Sequence, residues 1–265
     1  MGLFNHARAL RAAMVACLVA CFGPVTAVHA AAPEFTGAPG AASESAEPFH
    51  LWTSRVFWGG LVAKWQSVAH KLDDERVQLA LCDGDRENCA SDAALQLLSI
   101  VDAGRQREGR ARLGEINRAV NLAIRPMTDL AQFGQEDVWS SPLATFYRGA
   151  GDCEDYAIAK FVALRMAGIP AEDLRIVVLA DTLRGEGHAV AAVRLDGRWL
   201  ILDNRRMAMV EDMAFRIYRP LFVIDQTGVM KYSDAPLLAS GGDRDIALPT
   251  ASSSAAQSDR IAAGY

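Results

Sequence analysis

The spacing of apolar residues predicts a helical first half of the chain. Apolar side chains recur at three- and four-residue steps, as on one face of a helix, at Trp58, Leu61, Val62, Trp65, Ala69 and Leu72, and again at Leu113, Ile116, Val120 and Ile124. Ser91 and Asp92 mark another helix start, and the second periodic helix must stop near Arg125, before Pro126. We interpret the tryptophan stripe as core; the alternative is a groove that binds a partner.

After residue 170 the period changes to that of strands. Residues 174–180 form a branched apolar run, residues 188–195 and 198–203 flank an Asp-Gly turn, and residues 221–225 form another short run. These runs predict one antiparallel sheet. The fold class is therefore α+β, with a helical N-terminal half packed on that sheet.

Both ends of the chain differ in composition from the middle. Residues 1–30 have a basic start, an apolar run over 12–26, and small residues before a predicted cleavage between Ala30 and Ala31, which is the pattern of a signal peptide. A retained membrane anchor is the alternative, but the run is shorter than the roughly 20 residues of a spanning helix. Residues 31–48 and 236–265 are rich in small and polar residues and predict a disordered leader and tail. The folded domain is expected over 49–235.

Composition and charge narrow the function classes. Hydrophobic residues make up 51% and charged residues 22% of the chain, as in ordinary globular proteins, which argues against a coiled coil or an entirely disordered chain. With 27 Lys plus Arg against 32 Asp plus Glu, the formal net charge is −5 and no basic face stands out. We therefore expect no nucleic acid as a partner. No segment after residue 30 is long enough to span a membrane in the mature chain.

The oxidising compartment that export implies decides how the cysteines are interpreted. Of five cysteines, two lie within residues 1–30, so an exported chain keeps Cys82, Cys89 and Cys153. We predict a disulfide bond between Cys82 and Cys89, with Gly84 allowing the tight loop, and a lone thiol at Cys153. A zinc site is the alternative use of the near pair, but two further ligands are missing nearby.

The lone thiol lies in the segment most typical of a nucleophile. Two glycines precede Cys153, and a strongly apolar helix follows it. A cysteine in the first helical turn faces unpaired N–H groups and the positive end of the helix dipole, both of which favour the thiolate. The alternative, a small buried hydrophobe, fits poorly beside three carboxyl groups.

Those carboxyl groups create an electrostatic problem for the thiol. Asp152, Glu154 and Asp155 would raise the pKa of Cys153 and repel its thiolate. A hard cation bound by the three carboxylates would neutralise them, and Ca²⁺ suits an exported protein. An acidic, solvated helix start explains the same residues equally well.

A base and an orienting acid follow from the predicted hairpin. Outside the signal peptide the histidines are His50, His70 and His188, and only His188 opens a predicted strand after a glycine-rich turn. If residues 196–197 form the turn, the numbers of two directly paired residues add up to 393, so His188 faces Arg205. Asp203 is then the diagonal neighbour of His188 on the same face of the sheet. A Cys-His-Asp triad results. The alternatives are isolated surface residues and, for Asp203, an ordinary strand-ending turn.

The oxyanion that forms when the thiol attacks a carbonyl group would need two hydrogen-bond donors. The backbone N–H of Cys153 is one, and the indole N–H of Trp139 is a candidate for the second. The alternative is that Trp139 is a core residue.

Several blocks in this order resemble one family. They are Ile116-Asn117, Trp139-Ser140-Ser141-Pro142, the run Gly-Asp-Cys-Glu-Asp-Tyr-Ala-Ile-Ala-Lys at 151–160, Gly187-His188-Ala189-Val190 and Leu202-Asp203-Asn204. Together they are similar to the bacterial transglutaminase-like cysteine peptidases of the LapG type, over about residues 50–232. The run at 151–160 is specific to this family. The blocks that contain His188 and Asp203 are weaker alone and support the resemblance because they follow that run in the family's order.

The resemblance implies a papain-like, transglutaminase-like core and a periplasmic, calcium-dependent endopeptidase. Such an enzyme clips a large surface adhesin near its N-terminus, often beside paired alanines, and so releases cells from a biofilm. An inner-membrane receptor for cyclic di-GMP sequesters the protease in that family. Carried over, Cys153 is the nucleophile, His188 the general base and Asp203 the orienting acid, with Asp152 and Glu154 as calcium ligands.

Two other functions stay open at this point. The same chemistry could transfer the acyl group to an amine, as transglutaminases do. The fold could also serve as a non-catalytic binding module, although the intact triad argues against that.

Overall fold

The computed structural model describes residues 45–233. Within this range the helices are α1 (Gly60–Gly84), α2 (Asp92–Arg105), α3 (Gly109–Ala123), α4 (Asp129–Phe133), α5 (Pro142–Arg148) and α6 (Cys153–Met166). The strands are β1 (Thr53–Val56), β2 (Arg125–Pro126), β3 (Ala150–Gly151), β4 (Leu174–Asp181), β5 (Glu186–Leu195), β6 (Arg198–Leu202), β7 (Val210–Glu211), β8 (Tyr218–Asp225) and β9 (Gly228–Tyr232). The predicted α+β class is confirmed.

The first half is helical, as the apolar spacing predicts, with one correction at its start. Leu61 and Trp65 are buried on α1, but Trp58 lies before the helix and is 80% exposed. Gly59, with φ 120°, breaks the helical path ahead of Gly60, so Trp58 leaves the face that Trp65 occupies. The prediction that Trp58 belongs to the core stripe is wrong. Ser91 caps α2 as expected, accepting a hydrogen bond from the Ala94 N–H.

The described part of the chain forms a seven-stranded antiparallel sheet in the order β1-β9-β8-β4-β5-β6-β7. The sequence predicted its four central strands and missed β1, β7 and β9. In the β5–β6 hairpin Leu195 pairs with Arg198 and Ala191 with Leu202, which is the predicted register. Residues 196 and 197 both have positive φ, as a two-residue type I′ turn requires.

Helices cover one face of the sheet. Helix α6 packs against β5 and β4, and α2 and α3 pack against α6. Alternate residues of the central strands therefore point into a large helical core, among them Ile176 and Val178. The other face carries a smaller core around Val177 and Trp199.

The expected end of the disordered leader, at residue 48, differs from the structure. The Glu47 carboxylate accepts two hydrogen bonds from Arg175, at 2.7 and 2.8 Å, and the Ala46 carbonyl accepts one from the Trp199 indole at 2.9 Å. Phe49 packs on the smaller core. Residues 45–51 thus cover the outer face of the sheet, because that face would otherwise expose apolar side chains to water.

Cys82 and Cys89 form a disulfide bond. The predicted signal peptide, residues 31–44 of the leader and the tail over 236–265 lie outside the described residues. Within 45–233, no helix is both long enough and apolar enough to cross a membrane.

Candidate active site

A pair of two-residue strands fixes the start of helix α6. Strand β3, just before Cys153, pairs in parallel with β2, and the Met127 N–H donates to the Gly151 carbonyl at 3.0 Å. A Cβ at Gly151 would lie 2.7 Å from the Cβ of Asp155, so the chain can pass this close to α6 only as glycine. Cys153 is consequently held in the first turn of α6, where backbone N–H groups lack helical acceptors.

The sulfur of Cys153 lies beside strand β5. The thiol is half-buried and donates to Glu154 Oε2 at 3.1 Å. The backbone N–H of Ala189 also hydrogen-bonds to the sulfur. Since Ala189 follows His188 directly, the thiol and the predicted base belong to neighbouring positions on α6 and β5.

His188 and Asp203 form a buried pair. The His188 Nε2 lies 2.9 Å from Asp203 Oδ1, and the two side chains are 0% and 1% exposed. Tyr218 stacks on the imidazole with 5.5 Å between ring centroids. Nδ1 of His188 is buried and has no hydrogen-bond partner within the described residues. The ring is therefore held at one nitrogen and on one face, while its second nitrogen stays able to accept a proton.

Three carboxylates meet on the other side of Cys153. Asp129, Asp152 and Glu154 each place an oxygen within 4.8 Å of the others. The Oδ1 atoms of Asp129 and Asp152 are buried and lack a hydrogen-bond partner within residues 45–233. The structure thus brings together two of the predicted metal-ligating acids and adds Asp129, from the start of α4.

The third predicted acid, Asp155, lies outside this group. Its Oδ1 accepts from the Ser140 N–H at 2.9 Å, and its Oδ2 lies 3.7 Å from a guanidinium nitrogen of Arg148. Asp155 is fully buried. Its contacts therefore connect α6 to the segment before α5 and to the last residue of α5.

Trp139, the predicted second oxyanion donor, is 4% exposed. Its indole N–H donates to Asp137 Oδ1 at 3.0 Å, and Asp137 also pairs with Lys64. The indole donor therefore already has an acceptor. This arrangement favours the core alternative for Trp139.

Comparison with known families decides the assignment. Residues 77–219 match the family described as bacterial transglutaminase-like cysteine proteinase, BTLCP. The chain belongs to this family. The match spans Cys153, His188, Asp203 and all three clustered carboxylates, and it leaves out α1's first turns and β9.

Solved structures show the fold of this BTLCP proteinase in other proteins. Calcium-bound LapG of Legionella pneumophila is 22% identical, with a TM-score of 0.50, covering 60% of this chain and 92% of that one. EGTA-treated LapG of the same organism is 23% identical, with a TM-score of 0.49, over 71% of this chain and 95% of that one. A comparison with curated proteins gives no match. At these identities the likeness concerns the fold alone.

The carboxylates disfavour the ionised thiol of the BTLCP proteinase. Burial raises the pKa of Cys153 well above its usual value, and the charges of Glu154 and Asp152 raise it further. Burial and the charges of Glu154 and Asp129 raise the pKa of Asp152 to about 9, and burial raises that of Glu154 to about 7. The repulsion expected from the sequence is therefore present in the fold.

The donor set of this cluster fits a hard cation. All candidate ligand atoms are carboxylate oxygens, which Ca²⁺ prefers, and two of them are buried without a partner. A buried carboxylate oxygen without a hydrogen bond is costly. Asp129, Asp152 and Glu154 are the residues that would hold such an ion.

Two site residues escaped sequence reasoning. In the sequence, Thr128 and Asp129 indicate only the start of a helix, and in the structure Thr128 does cap α4 by accepting a hydrogen bond from the Ala131 N–H. Tyr218 opens β8, and nothing in its neighbourhood along the chain indicates that it stacks on His188. Both contacts depend on pairings between distant segments.

Proposed function

We propose that this protein is a periplasmic, calcium-dependent cysteine endopeptidase of the LapG type that cleaves the N-terminal region of a large surface adhesin. The observation that carries the catalytic part is the buried His188–Asp203 pair, 2.9 Å apart, beside a cysteine at the start of a helix. A thiol nucleophile needs such a base beside it. Here the thiol donates to Glu154 and Nδ1 of His188 has no hydrogen-bond partner within residues 45–233, so the thiol has to turn from Glu154 towards Nδ1 for the reaction.

The chemistry follows from the three side chains. Nδ1 of His188 takes the proton of the Cys153 thiol as the sulfur attacks the peptide carbonyl carbon. The imidazolium then protonates the leaving amine, the C–N bond breaks, and a thioester remains on Cys153. Water, deprotonated by His188, hydrolyses the thioester and restores the thiol. Asp203 holds the imidazole and stabilises its cationic form throughout.

The carboxylate cluster supports the calcium dependence. Asp129, Asp152 and Glu154 offer only oxygen ligands, and one LapG of this fold is described as calcium-bound. Bound Ca²⁺ would supply positive charge beside the nucleophile and offset the repulsion between the carboxylates.

The proposed periplasmic location and the proposed partners are supported by the sequence. The N-terminal signal-peptide pattern supports export, and the predicted cleavage precedes Ala31. The family resemblance supports an adhesin cleaved beside paired alanines, biofilm release, and sequestration by an inner-membrane cyclic di-GMP receptor. These are parts of the same proposal.

Cleavage can be tested directly with the purified protein. A recombinant adhesin N-terminal region containing paired alanines is incubated with wild type and with Cys153→Ala, with and without calcium. We expect two fragments from wild type with calcium only, and intact substrate with Cys153→Ala. Full cleavage by Cys153→Ala would refute the thiol mechanism, and binding without cleavage by wild type would favour a binding module.

The same assay separates hydrolysis from acyl transfer. A primary amine is added, and the products are weighed by mass spectrometry. Hydrolysis adds one water across the cleaved bond. Amine-tagged or crosslinked product without chain cleavage would instead support the transglutaminase alternative.

A further inference from the structure

A buried lysine lies behind the His188–Asp203 pair. Lys160, on α6, is 0% exposed, and its Nζ donates to the main-chain carbonyl of Leu202 at 3.2 Å. Leu202 is the residue immediately before Asp203. The catalytic steps described above do not use Lys160, although burying an ammonium group is costly.

Helix α3 holds the other side of the same segment. Asn121 Nδ2 donates to the carbonyl of Asp203 at 3.0 Å and to that of Arg206 at 3.2 Å. One turn earlier, Asn117 donates to the carbonyl of Met207 at 3.0 Å. Side chains of two helices therefore hold four main-chain carbonyls between residues 202 and 207.

The carboxylate of Asp203 is itself incompletely satisfied. Its Oδ1 accepts from His188 and from the Arg205 N–H, the latter at 3.0 Å. Its Oδ2 is buried and accepts no hydrogen bond within the described residues, and the Arg206 Nε lies 4.0 Å away. Burial raises the pKa of Asp203, but the hydrogen bonds from His188 and from the Arg205 N–H lower it below its usual value, and the charge of Lys160 adds to that lowering. A positive charge behind the carboxylate thus helps to compensate for the missing hydrogen bond.

An uncharged donor would satisfy the Leu202 carbonyl at a smaller desolvation cost than a lysine. The hydrogen bond to Leu202 alone does not explain why the donor is a charged ammonium group. The buried carboxylate of Asp203, next to that carbonyl, does explain it. We propose that Lys160 and Asn121 are positioning residues, which hold the Leu202–Asp203 backbone and keep the carboxylate ionised and aimed at His188. This rests on the proposed function, in which Asp203 orients the catalytic imidazole.

Two variants and a control test the proposal with an Ala-Ala peptide substrate in the presence of calcium. Lys160→Met keeps the length of the side chain without its charge, and Asn121→Ala removes the two donors from a less buried site. We expect each to lower kcat about 10-fold to 100-fold, since small displacements of a catalytic group have effects of that size, with KM changed less than about twofold. Lys231→Met, on the exposed face of β9, is the matched control and should behave as wild type.

The pH profile separates positioning from general support of the fold. The ionisable groups around Lys160 are Tyr156 on its own helix, Asp203 and, through it, His188 and Arg206. Removing a cation makes protonation of the coupled His188–Asp203 pair easier. The acidic limb of kcat/KM should move to higher pH in Lys160→Met and stay in place in Asn121→Ala.

A second readout does not depend on proteolysis. An imidazole N–H bonded to a buried carboxylate gives a slowly exchanging, downfield proton in NMR spectra, and we expect it in wild type and weakened or lost in both variants. If wild type cleaves and both variants keep its kcat and this proton, the positioning role is refuted. If wild type cleaves nothing but the proton is lost in the variants, the proposed function fails and the positioning role stands. Should Lys160→Met not fold, Asn121→Ala decides.

Discussion

Replacing Asp129 by Asn is the sharpest test of the carboxylate cluster, because it removes one charge while keeping the size of the side chain. Three carboxylate oxygens lie within 4.8 Å of one another. Two unit charges at that distance repel by about 3.5 kcal/mol at an effective dielectric constant near 20. Partial protonation reduces the repulsion, so we expect Asp129→Asn to stabilise the calcium-free protein by about 1 to 2 kcal/mol.

Calcium should reverse this difference and make wild type more stable than Asp129→Asn. Binding to the folded state alone stabilises by about 2.7 kcal/mol at a concentration 100 times Kd. For a domain of this size each kcal/mol raises Tm by about 2 to 4 °C, so wild type should gain about 5 to 10 °C. Asp129→Asn should gain less than about 2 °C, because only two carboxylates of the cluster remain.

The measurement is thermal unfolding of EGTA-dialysed protein, titrated with CaCl₂ from micromolar to millimolar concentrations. Asp155→Asn is the informative comparison, since its carboxylate accepts from Ser140 rather than joining the cluster. It should keep the calcium shift, as should the surface variant Asp73→Asn. A calcium shift that persists in Asp129→Asn and vanishes in Asp155→Asn would refute the assigned ligand set.

Three further changes have defined outcomes. Gly151→Ala should destabilise by about 1 to 3 kcal/mol in urea unfolding, because the new Cβ would lie 2.7 Å from a side-chain carbon of α6; Gly84→Ala, which meets nothing within 4 Å, is its control. Glu47→Ala should cost about 1 to 3 kcal/mol by leaving the guanidinium of Arg175 without its carboxylate, and an unchanged urea midpoint would contradict this. Burial lowers the pKa of Lys160 to about 7, so its charged form opposes folding below that pH and the penalty fades as pH rises towards 10.5. Lys160→Met should therefore gain most over wild type near pH 7 and least near pH 10, as measured by unfolding at each pH.

The hairpin that carries His188 and leads to Asp203 could be predicted because one turn fixes it. Asp196 and Gly197 both adopt positive φ, and a two-residue turn leaves only one register for the strands that flank it. The diagonal relation of His188 and Asp203 follows from that register. Their hydrogen bond, at 2.9 Å, agrees with the predicted neighbourhood even though β6 ends at Leu202.

Asp129 could not be predicted in the same way. It reaches Asp152 because β2 and β3 pair in parallel, and each of these strands has only two residues. So short a strand has no alternation of apolar and polar side chains to recognise. The prediction that Trp58 is buried was wrong for a related reason, because the spacing of apolar residues does not reveal that Gly59 departs from helical φ.

These differences have a common origin in how the two sides of Cys153 are built. His188 lies on the long strand β5 and Asp203 directly follows β6, its hairpin partner, whose register is set by local turn chemistry. Hydrogen bonds and ring stacking hold the two side chains. The carboxylates come from a helix start and a short strand pairing, and they repel one another in the absence of a cation. Calcium should therefore act mainly on the carboxylate side and leave the His188–Asp203 bond in place. The imidazole N–H proton in NMR spectra should accordingly survive EGTA treatment while the calcium-dependent gain in Tm disappears.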